Sequence, residues 1–298
     1  MKHLLSIESL SEQTIVSLLD RGAELKRHRG DQKFLPLAGQ SWALIFTKSS
    51  TRTRVSFEVG IRELGGCGMF FSSRDLQLGR GEPIQDTARV FGRMLHGAVI
   101  RNDSQVDLER FALESGIPTV NALTDQEHPC QVLADLLTMR ERLPKWRSAR
   151  ICFLGDGNCN MARSWIWAAA RLNLDLTISA PPEFQPPASL LRTAGGTVRV
   201  EPDPRKAVKG CDVLYTDVWV SMGKEEEEGD RLRHLAPYQI NSALVKATGK
   251  KPFVMHCLPA YREKEITAEV LEANASIIFD QAENRLHAQK AVLSWCVE

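Results

Sequence analysis

The sequence predicts two α/β domains, each a parallel β-sheet flanked by helices, and three observations carry that prediction. Short apolar runs alternate with amphipathic segments of helical period along the whole chain, the pattern of parallel sheets. The alternation forms two series, separated by the polar stretch PKWRS at residues 144–148. The chain has 298 residues, 43% of them hydrophobic and 25% charged, which suits about two domains and fills two cores without staples. The domains are expected at residues 1–140 and 141–280, with the join near residues 140–148.

The elements follow in order. The stretch SLSE at residues 9–12 has capping-box spacing and precedes TIVSLLDRGAELKRHRG, an amphipathic helix. SWALIF (41–46) reads as a strand, and TRVSFEVGIREL (53–64) as a helix carrying Val55, Phe57, Val59, Ile61 and Leu64. Next come the strand GMFFSS, the helix PIQDTARVFGRML, the strand GAVIR, the helix VDLERFALESG, the strand PTVNA and the helix HPCQVLADLLTMRERL. The second series opens with the strand ARICFLGDG and the helix MARSWIWAAARL. DLTISAP, TVRVE, DVLYTDVW, PFVMHCLP and SIIFDQ read as further strands with helices between them, and AENRLHAQKAVLSW as a final helix. The acidic run at residues 225–228 reads as a solvated loop.

Composition narrows the function. A net charge of +1 supplies no global field for nucleic acid or an acidic membrane, so any affinity for an anion is local. The seven cysteines, Cys67, Cys130, Cys152, Cys159, Cys211, Cys257 and Cys296, are odd in number, scattered, and free of C-x-x-C pairs. That argues for free thiols in a reducing compartment, against a disulfide framework and against a zinc site. The start, MKHLLSIESLSEQ, turns polar too soon for a signal peptide and is too acidic for a transit peptide. No apolar stretch approaches the roughly 20 residues of a membrane span. A cytoplasmic location is the expectation.

In open α/β sheets ligands gather beyond the carboxyl ends of the strands. After SWALIF comes Thr47-Lys-Ser-Ser-Thr-Arg-Thr-Arg54 and then a helix. A helix mouth offers unpaired N–H groups; Ser50, Thr51 and Thr53 add hydroxyls, and Arg52 a planar fork suited to phosphate oxygens. A plain N-cap with surface charge is the competing reading, and the density of donors favours an anion site. It is not a Walker loop, since G-x-x-x-x-G-K-[ST] is absent. Arg101 ends its own strand; His128 precedes Pro129 at the mouth of a helix, with Gln131 one turn on. Together they point to a phosphate and a carbonyl.

In the second series Gly155-x-Gly157 invites a dinucleotide reading, but Asn160 stands where a third glycine belongs and no acidic residue ends the next strand. Asn158 or Asn160 could instead contact a small polar substrate. Asp217 and Cys257 follow two strands of the same series. A carboxylate there favours a cationic ligand; Cys257 is either a buried structural thiol or a polar participant.

These motifs together resemble the aspartate/ornithine carbamoyltransferase family. SSTRTR (49–54), DLQLGRGEPIQDTARV (75–90), HPCQVLADLLT (128–138), GDGNCNMARS (155–164), DVWVSMG (217–223), HCLPA (256–260) and AENRLHAQKAVL (282–293) occur in the family's order and cover nearly the whole chain. STRTR with HPCQ is shared by the wider family; DVWVSMG with HCLP is similar to its ornithine branch. Where many members read Asn-Asn in the Gly155 loop, this chain reads Cys159-Asn160.

The resemblance implies a carbamoyl phosphate domain at residues 1–140, completed by a C-terminal helix at 281–298 that crosses back to it, and an ornithine domain at 141–280. It implies conversion of carbamoyl phosphate and L-ornithine to L-citrulline and phosphate, as in arginine biosynthesis. It implies a homotrimer or a multiple of trimers, with no metal, no organic cofactor and no nucleic-acid or membrane partner. By position, Ser50, Thr51, Arg52 and Thr53 match the phosphate cradle, and Arg101, His128 and Gln131 the carbamoyl ligands. Arg285 reaches the same substrate, and Gln77 enters from a neighbouring subunit. Asn160, Asp217, Ser221 and Met222 match the ornithine site, with Cys257 and Leu258 between the two substrates. Arg101, His128, Asp217 and Cys257 are the expected catalytic residues. Putrescine or acetylornithine as acceptor, and a nicotinamide-dependent dehydrogenase resting on Gly155-x-Gly157, are the rival readings.

Overall fold

A computed structural model describes residues 1–31, 33–72, 75, 81–196, 198–220 and 227–298. The chain divides into two units, Met1–Leu137 with Glu283–Glu298, and Thr138–Ala282.

The first unit opens with α1 (Glu12–Arg27). Its N-cap is Ser11, whose hydroxyl accepts from the Thr14 N–H at 3.1 Å. Ser9, the first residue of the expected capping box, instead donates to the Ser6 carbonyl. The helix starts where a serine can reach the N–H three residues ahead, and Glu12 then lies in the first turn, where the helix dipole favours an acid. Four strands follow, β1 (Ser41–Phe46), β2 (Cys67–Ser72), β3 (Gly97–Arg101) and β4 (Thr119–Leu123), parallel and ordered β2-β1-β3-β4. Between them run α2 (Thr51–Glu63), α3 (Ile84–Met94) and α4 (Gln105–Ser115), and α5 (Pro129–Arg142) leads into the second unit. Trp42, Ala43, Leu44, Ile45 and Phe46 are all buried, as a central parallel strand covered on both faces requires. One core cluster joins Ala43, Ile45, Ala98 and Ile100 of the sheet to Ala88, Leu108 and Phe111 of the helices.

The second unit holds β5 (Arg150–Leu154), β6 (Asp175–Ser179), β7 (Val198–Val200), β8 (Val213–Thr216) and β9 (Phe253–His256), parallel and ordered β7-β6-β5-β8-β9. Its helices are α6 (Asn160–Leu172), α7 (Ala188–Ala194), α8 (Pro204–Ala207), α9 (Glu228–Leu235), α10 (Ser242–Ala247) and α11 (Ala268–Ala273). Cys152, Leu154, Leu214 and Val254 pack with Ile240, Ile266, Val270 and Ile278 in its core.

The last helix, α12 (Ala275–Cys296), corrects one expectation. SIIFDQ, expected as a strand, is its opening turns. The β-branched pair Ile277–Ile278 suggested a strand, but burial follows the helical period: Ile278, Gln281, Asn284 and Arg285 are buried while Phe279 is exposed. From Glu283 onward the helix belongs to the first unit, so the chain does return to it. There Ala291, Val292 and Leu293 are fully buried, Lys26 Nζ donates to Asn284 Oδ1 at 2.8 Å, and Lys290 Nζ to Glu63 Oε2 at 2.7 Å. All seven cysteines are free, and no described helix is long and apolar enough to cross a membrane.

Each sheet reverses its direction of growth once. In the first the chain builds β1, then β2 on one side, then β3 on the other; in the second it builds β5, β6 and β7 outward, then β8 on the opposite flank. Such switch points leave a crevice beyond the carboxyl ends of the two strands, because their connections leave in opposite directions. The β1/β3 and β5/β8 strand ends are therefore where each unit should hold a ligand.

Gly97 starts β3, whose far end delivers Arg101 to the first crevice. A Cβ there would lie 2.5 Å from the ring of the fully buried Trp42. Gly97→Ala should destabilise the protein by about 1–3 kcal/mol through overpacking, measured by urea denaturation. An unchanged midpoint would show that Trp42 yields freely.

Candidate active site

At the first switch point the Thr47 N–H donates to the Arg101 carbonyl at 2.9 Å, continuing the β1–β3 pairing one residue past β1. The chain then turns into α2, with Ser50 as N-cap accepting from the Thr53 N–H at 3.4 Å. Ser50 thus does cap the helix, and the donor-rich loop around it remains. The basic residues of the loop divide into two kinds. Lys48 is paired with Asp103 at 2.5 Å, and Arg54 with Glu58 at 2.9 Å while its guanidinium lies 3.7 Å over the Phe70 ring. Arg52, half-buried between them, has no acid partner among the described residues.

Arg52 belongs to a group of like charges. Burial, then Arg285, then Arg52 push the Arg101 guanidinium down to about 10, against a weaker opposing pull from Asp103. Arg101 Nε has no hydrogen-bond partner among the described residues. His128, buried at the mouth of α5, is held well below the usual histidine range by burial first, and then by Arg285 and Arg101. It is therefore a neutral imidazole at neutral pH, able to donate or accept one hydrogen bond per ring nitrogen.

The C-terminal segment supplies Arg285, which the structure brings to this cluster. Its Nη1 donates to Gln131 Oε1 and its Nη2 to Thr53 Oγ1, both at 2.9 Å. Gln289, one turn later, accepts from the same guanidinium at 3.2 Å when its amide is oriented to satisfy Ser56. Gln131 in turn donates from Nε2 to the buried Asp135 at 2.8 Å. Thr51 is exposed at the loop, and Gln77 lies outside the described residues.

At the second switch point the Thr216 hydroxyl donates to the Leu154 carbonyl at 2.8 Å, tying the ends of β8 and β5. Thr216 pairs with His256 in the β8/β9 register, so Asp217 and Cys257, the next residues, emerge side by side. Cys257 Sγ donates to Asp217 Oδ1 at 2.8 Å, and the Val218 N–H donates to the same oxygen at 2.7 Å. Burial raises the Asp217 carboxyl above its ordinary range, with Glu265 adding to the effect; His256 and the hydrogen bonds from Cys257 and Val218 oppose it. Cys257 thus makes a polar contact through its thiol.

Behind this pair the fully buried His256 accepts from the Leu258 N–H at Nδ1, 2.9 Å, which leaves Nε2 to donate to Glu265 Oε1 at 3.1 Å. That bond holds Leu258 at a φ of +57°, a left-handed conformation that is strained for leucine. Ligand atoms of Asp217, His256 and Cys257 lie within 4.8 Å of one another, a spacing compatible with a metal. Both ring nitrogens of His256 are already engaged, however, one with Glu265 and one with the Leu258 N–H.

The Gly155 loop follows β5. Gly155 has φ +119°, and a Cβ there would meet Trp219 Nε1 at 2.9 Å; a Cβ on Gly157 would meet Ile178 at 2.6 Å. Both glycines are required by the packing of the loop itself, which removes the main support for a dinucleotide. Asp156 pairs with Arg231 of α9 with both side chains buried, and Arg231 Nε also donates to the Trp219 carbonyl at 2.6 Å. Asn158 is exposed, and its Oδ1 accepts from Arg163 at 2.9 Å. Asn160 begins α6, after the N-cap Cys159. Ser221 and Met222 lie outside the described residues. Sequence reading missed Asp135, Gln289, Asp156 and Arg231; only the i, i+4 spacing of Gln131 and Asp135 on one helix offered a signal.

Two predictions follow from these charges. Asp156→Ala removes the buried acid from Arg231, leaving only the exposed Glu227 carboxyl at 3.4 Å, and should cost about 3–5 kcal/mol of stability, read by chemical denaturation; a loss comparable to a surface substitution would contradict the burial of the pair. His128 has a depressed folded pKa, so below about pH 6.5 the unfolded chain takes up a proton that the folded chain refuses. Stability should therefore fall as pH drops through that value, and His128→Asn should flatten the fall. An equal slope in the variant would place the imidazole in solvent.

Comparison with known proteins agrees with this geometry. Residues 2–141 match the family described as "Aspartate/ornithine carbamoyltransferase, carbamoyl-P binding domain", and residues 147–296 its "Asp/Orn binding domain". A protein of Akkermansia muciniphila named ornithine carbamoyltransferase is 57% identical over 297 residues, covering 99% of this chain and 97% of that protein. One of Pseudomonas aeruginosa, named ornithine carbamoyltransferase, anabolic, is 45% identical and covers 100% of this chain and 98% of its own length. The crystal structure of anabolic ornithine carbamoyltransferase from Campylobacter jejuni superposes with a TM-score of 0.94 at 38% identity, covering 99% of each chain. Two crevices of opposite character, one rich in arginine and one acidic, matched along both units to one family, establish that this chain belongs to the aspartate/ornithine carbamoyltransferase family.

Proposed function

We propose that this chain transfers the carbamoyl group of carbamoyl phosphate to the δ-amine of L-ornithine, giving L-citrulline and phosphate. The observation that carries the reading is Arg101: a half-buried guanidinium whose buried Nε has no hydrogen-bond partner among the described residues, crowded by Arg285 and Arg52 beside a neutral histidine. Like charges held together in this way are stabilised by a multivalent anion. The names of the relatives and the acid–thiol pair at the second switch point support ornithine as the acceptor.

In this reading Ser50, Thr51, Arg52, Thr53 and Arg285 hold the phosphate. Arg101, His128 and Gln131 bind the carbamoyl end. Gln77 enters from a neighbouring subunit of a homotrimer or a multiple of trimers. Asn160, Ser221 and Met222 hold the amino-acid head group; the commitment of Asn158 to Arg163 favours Asn160 for this contact. Asp217 draws in the cationic end of ornithine, and Cys257 and Leu258 sit between the substrates.

An ammonium has no lone pair, and an alkyl amine of this kind has a pKa of about 10.4 in water. Removal from water favours its neutral form, while Asp217 opposes deprotonation; Asp217 therefore recruits and aims the amine. The neutral nitrogen attacks the carbamoyl carbon, and a C–N bond forms. Arg101 and His128 stabilise the charge that develops on the carbonyl oxygen. The carbon–oxygen bond to phosphate then breaks, and the departing phosphate takes the proton lost by nitrogen. No covalent enzyme intermediate is needed. The relative named anabolic supports a place in arginine biosynthesis, and a cytoplasmic location fits that place.

The deciding assay measures carbamoylated product with ornithine, putrescine, acetylornithine and aspartate as competing acceptors. Ornithine should be preferred, and a preference for putrescine would remove the head-group contacts from the reading. Arg101→Leu should lower turnover by about 10²–10³ while the fold is kept, the usual effect of losing one such donor. Turnover near that of the parent protein would take Arg101 out of the reaction.

A further inference from the structure

We infer that Asp135 is a positioning residue for the carbamoyl phosphate site, acting through Gln131 on Arg285; the inference rests on the function proposed above. Asp135 is fully buried on α5, one turn after Gln131, and accepts from Gln131 Nε2 at 2.8 Å. The other end of the same amide, Oε1, receives Arg285 Nη1 at 2.9 Å, and Arg285 Nη2 reaches Thr53 Oγ1 at 2.9 Å. The order along this chain of contacts is carboxyl, amide, guanidinium, hydroxyl.

An amide has one accepting end and one donating end, and Gln131 can turn either way unless its neighbours decide. Asp135 offers an acceptor oxygen, so it draws the NH2 end. The carbonyl must then face Arg285. With the amide reversed, NH2 would oppose the guanidinium and the carbonyl would oppose the carboxyl, two repulsive contacts in a buried place. Asp135 thus fixes the direction of Gln131, and Gln131 fixes Arg285.

Gln131 Oε1, Thr53 Oγ1 and the Gln289 amide oxygen are three neutral acceptors on the Arg285 guanidinium. Arg285 also heads the charges acting on Arg101 and on His128, so its placement bears on the whole cluster.

The test uses the full-length protein, with phosphonoacetamide, an unreactive phosphonate analogue of carbamoyl phosphate, as calorimetric ligand. Asp135→Asn keeps the shape but presents both a donor and an acceptor, so it no longer dictates the amide's direction. It should weaken phosphonoacetamide binding about tenfold and raise KM for carbamoyl phosphate, with KM for ornithine unchanged, since residues coupled through one network show interaction effects of this size. In an Arg285→Ala background the same substitution should have little further effect. Gln131→Glu, which puts a carboxylate directly on Arg285, should also weaken the phosphonate. An Asp135→Asn protein that binds like the parent, an equal loss in the Arg285→Ala background, or full affinity in Gln131→Glu would each overturn the inference. Failure of the parent protein itself to bind phosphonoacetamide would overturn the proposed function, and the inference with it.

Discussion

The crowding of Arg285 and Arg52 on the partly buried Arg101 is the constraint around which the first crevice is arranged. A folded chain disfavours like charges taken out of water, and these are held together by what surrounds them: a sheet end that delivers Arg101, a helix mouth that delivers Arg52, and the last helix, which delivers Arg285. The neighbouring cations of the same loop show the contrast. Lys48 and Arg54 are matched by Asp103 and Glu58, so they contribute local structure and leave no field for a ligand. Arg52 has no acid partner among the described residues, and burial first, then Arg285 and Arg101, hold His128 well below the usual histidine range.

The second unit uses the same topological device with the opposite charge. There β8, one strand of the switch point, and its neighbour β9 lead into a carboxyl and a thiol bonded to each other, and a buried histidine sets the backbone of the next residue. Here the buried arginine is matched: Arg231 holds Asp156 of the Gly155 loop and the Trp219 carbonyl. One crevice is thus lined by arginines, while the other presents a carboxyl and a thiol beside a buried arginine that is paired internally.

Much of this was legible in the sequence, and the reasons are physical. Residues that follow a parallel strand must lie at one edge of the sheet, so Ser50–Thr53, Arg101, His128, Asp217 and Cys257 could be named from position and chemistry together. Elements of clear period were also readable. The failures came where local pattern conflicts with tertiary burial. SIIFDQ has the branched residues of a strand but is helical, because Ile278 and Gln281 are turned inward while Phe279 faces out. Ser9 opened the expected capping box, but Ser11 caps α1, an outcome that the geometry of the turn decides.

The sequence by itself determined the layered architecture, the two crevices and their opposite characters, since strand–helix alternation and the residues after each strand are local facts. It also determined the family, through motifs long enough to be matched position by position. Tertiary structure alone decided which arginines are matched and which are not, which way Gln131 faces, and that Asp156 meets Arg231. Those outcomes depend on contacts between residues distant in the chain, such as Thr53 with Arg285 and Asp156 with Arg231, and on water being excluded around them.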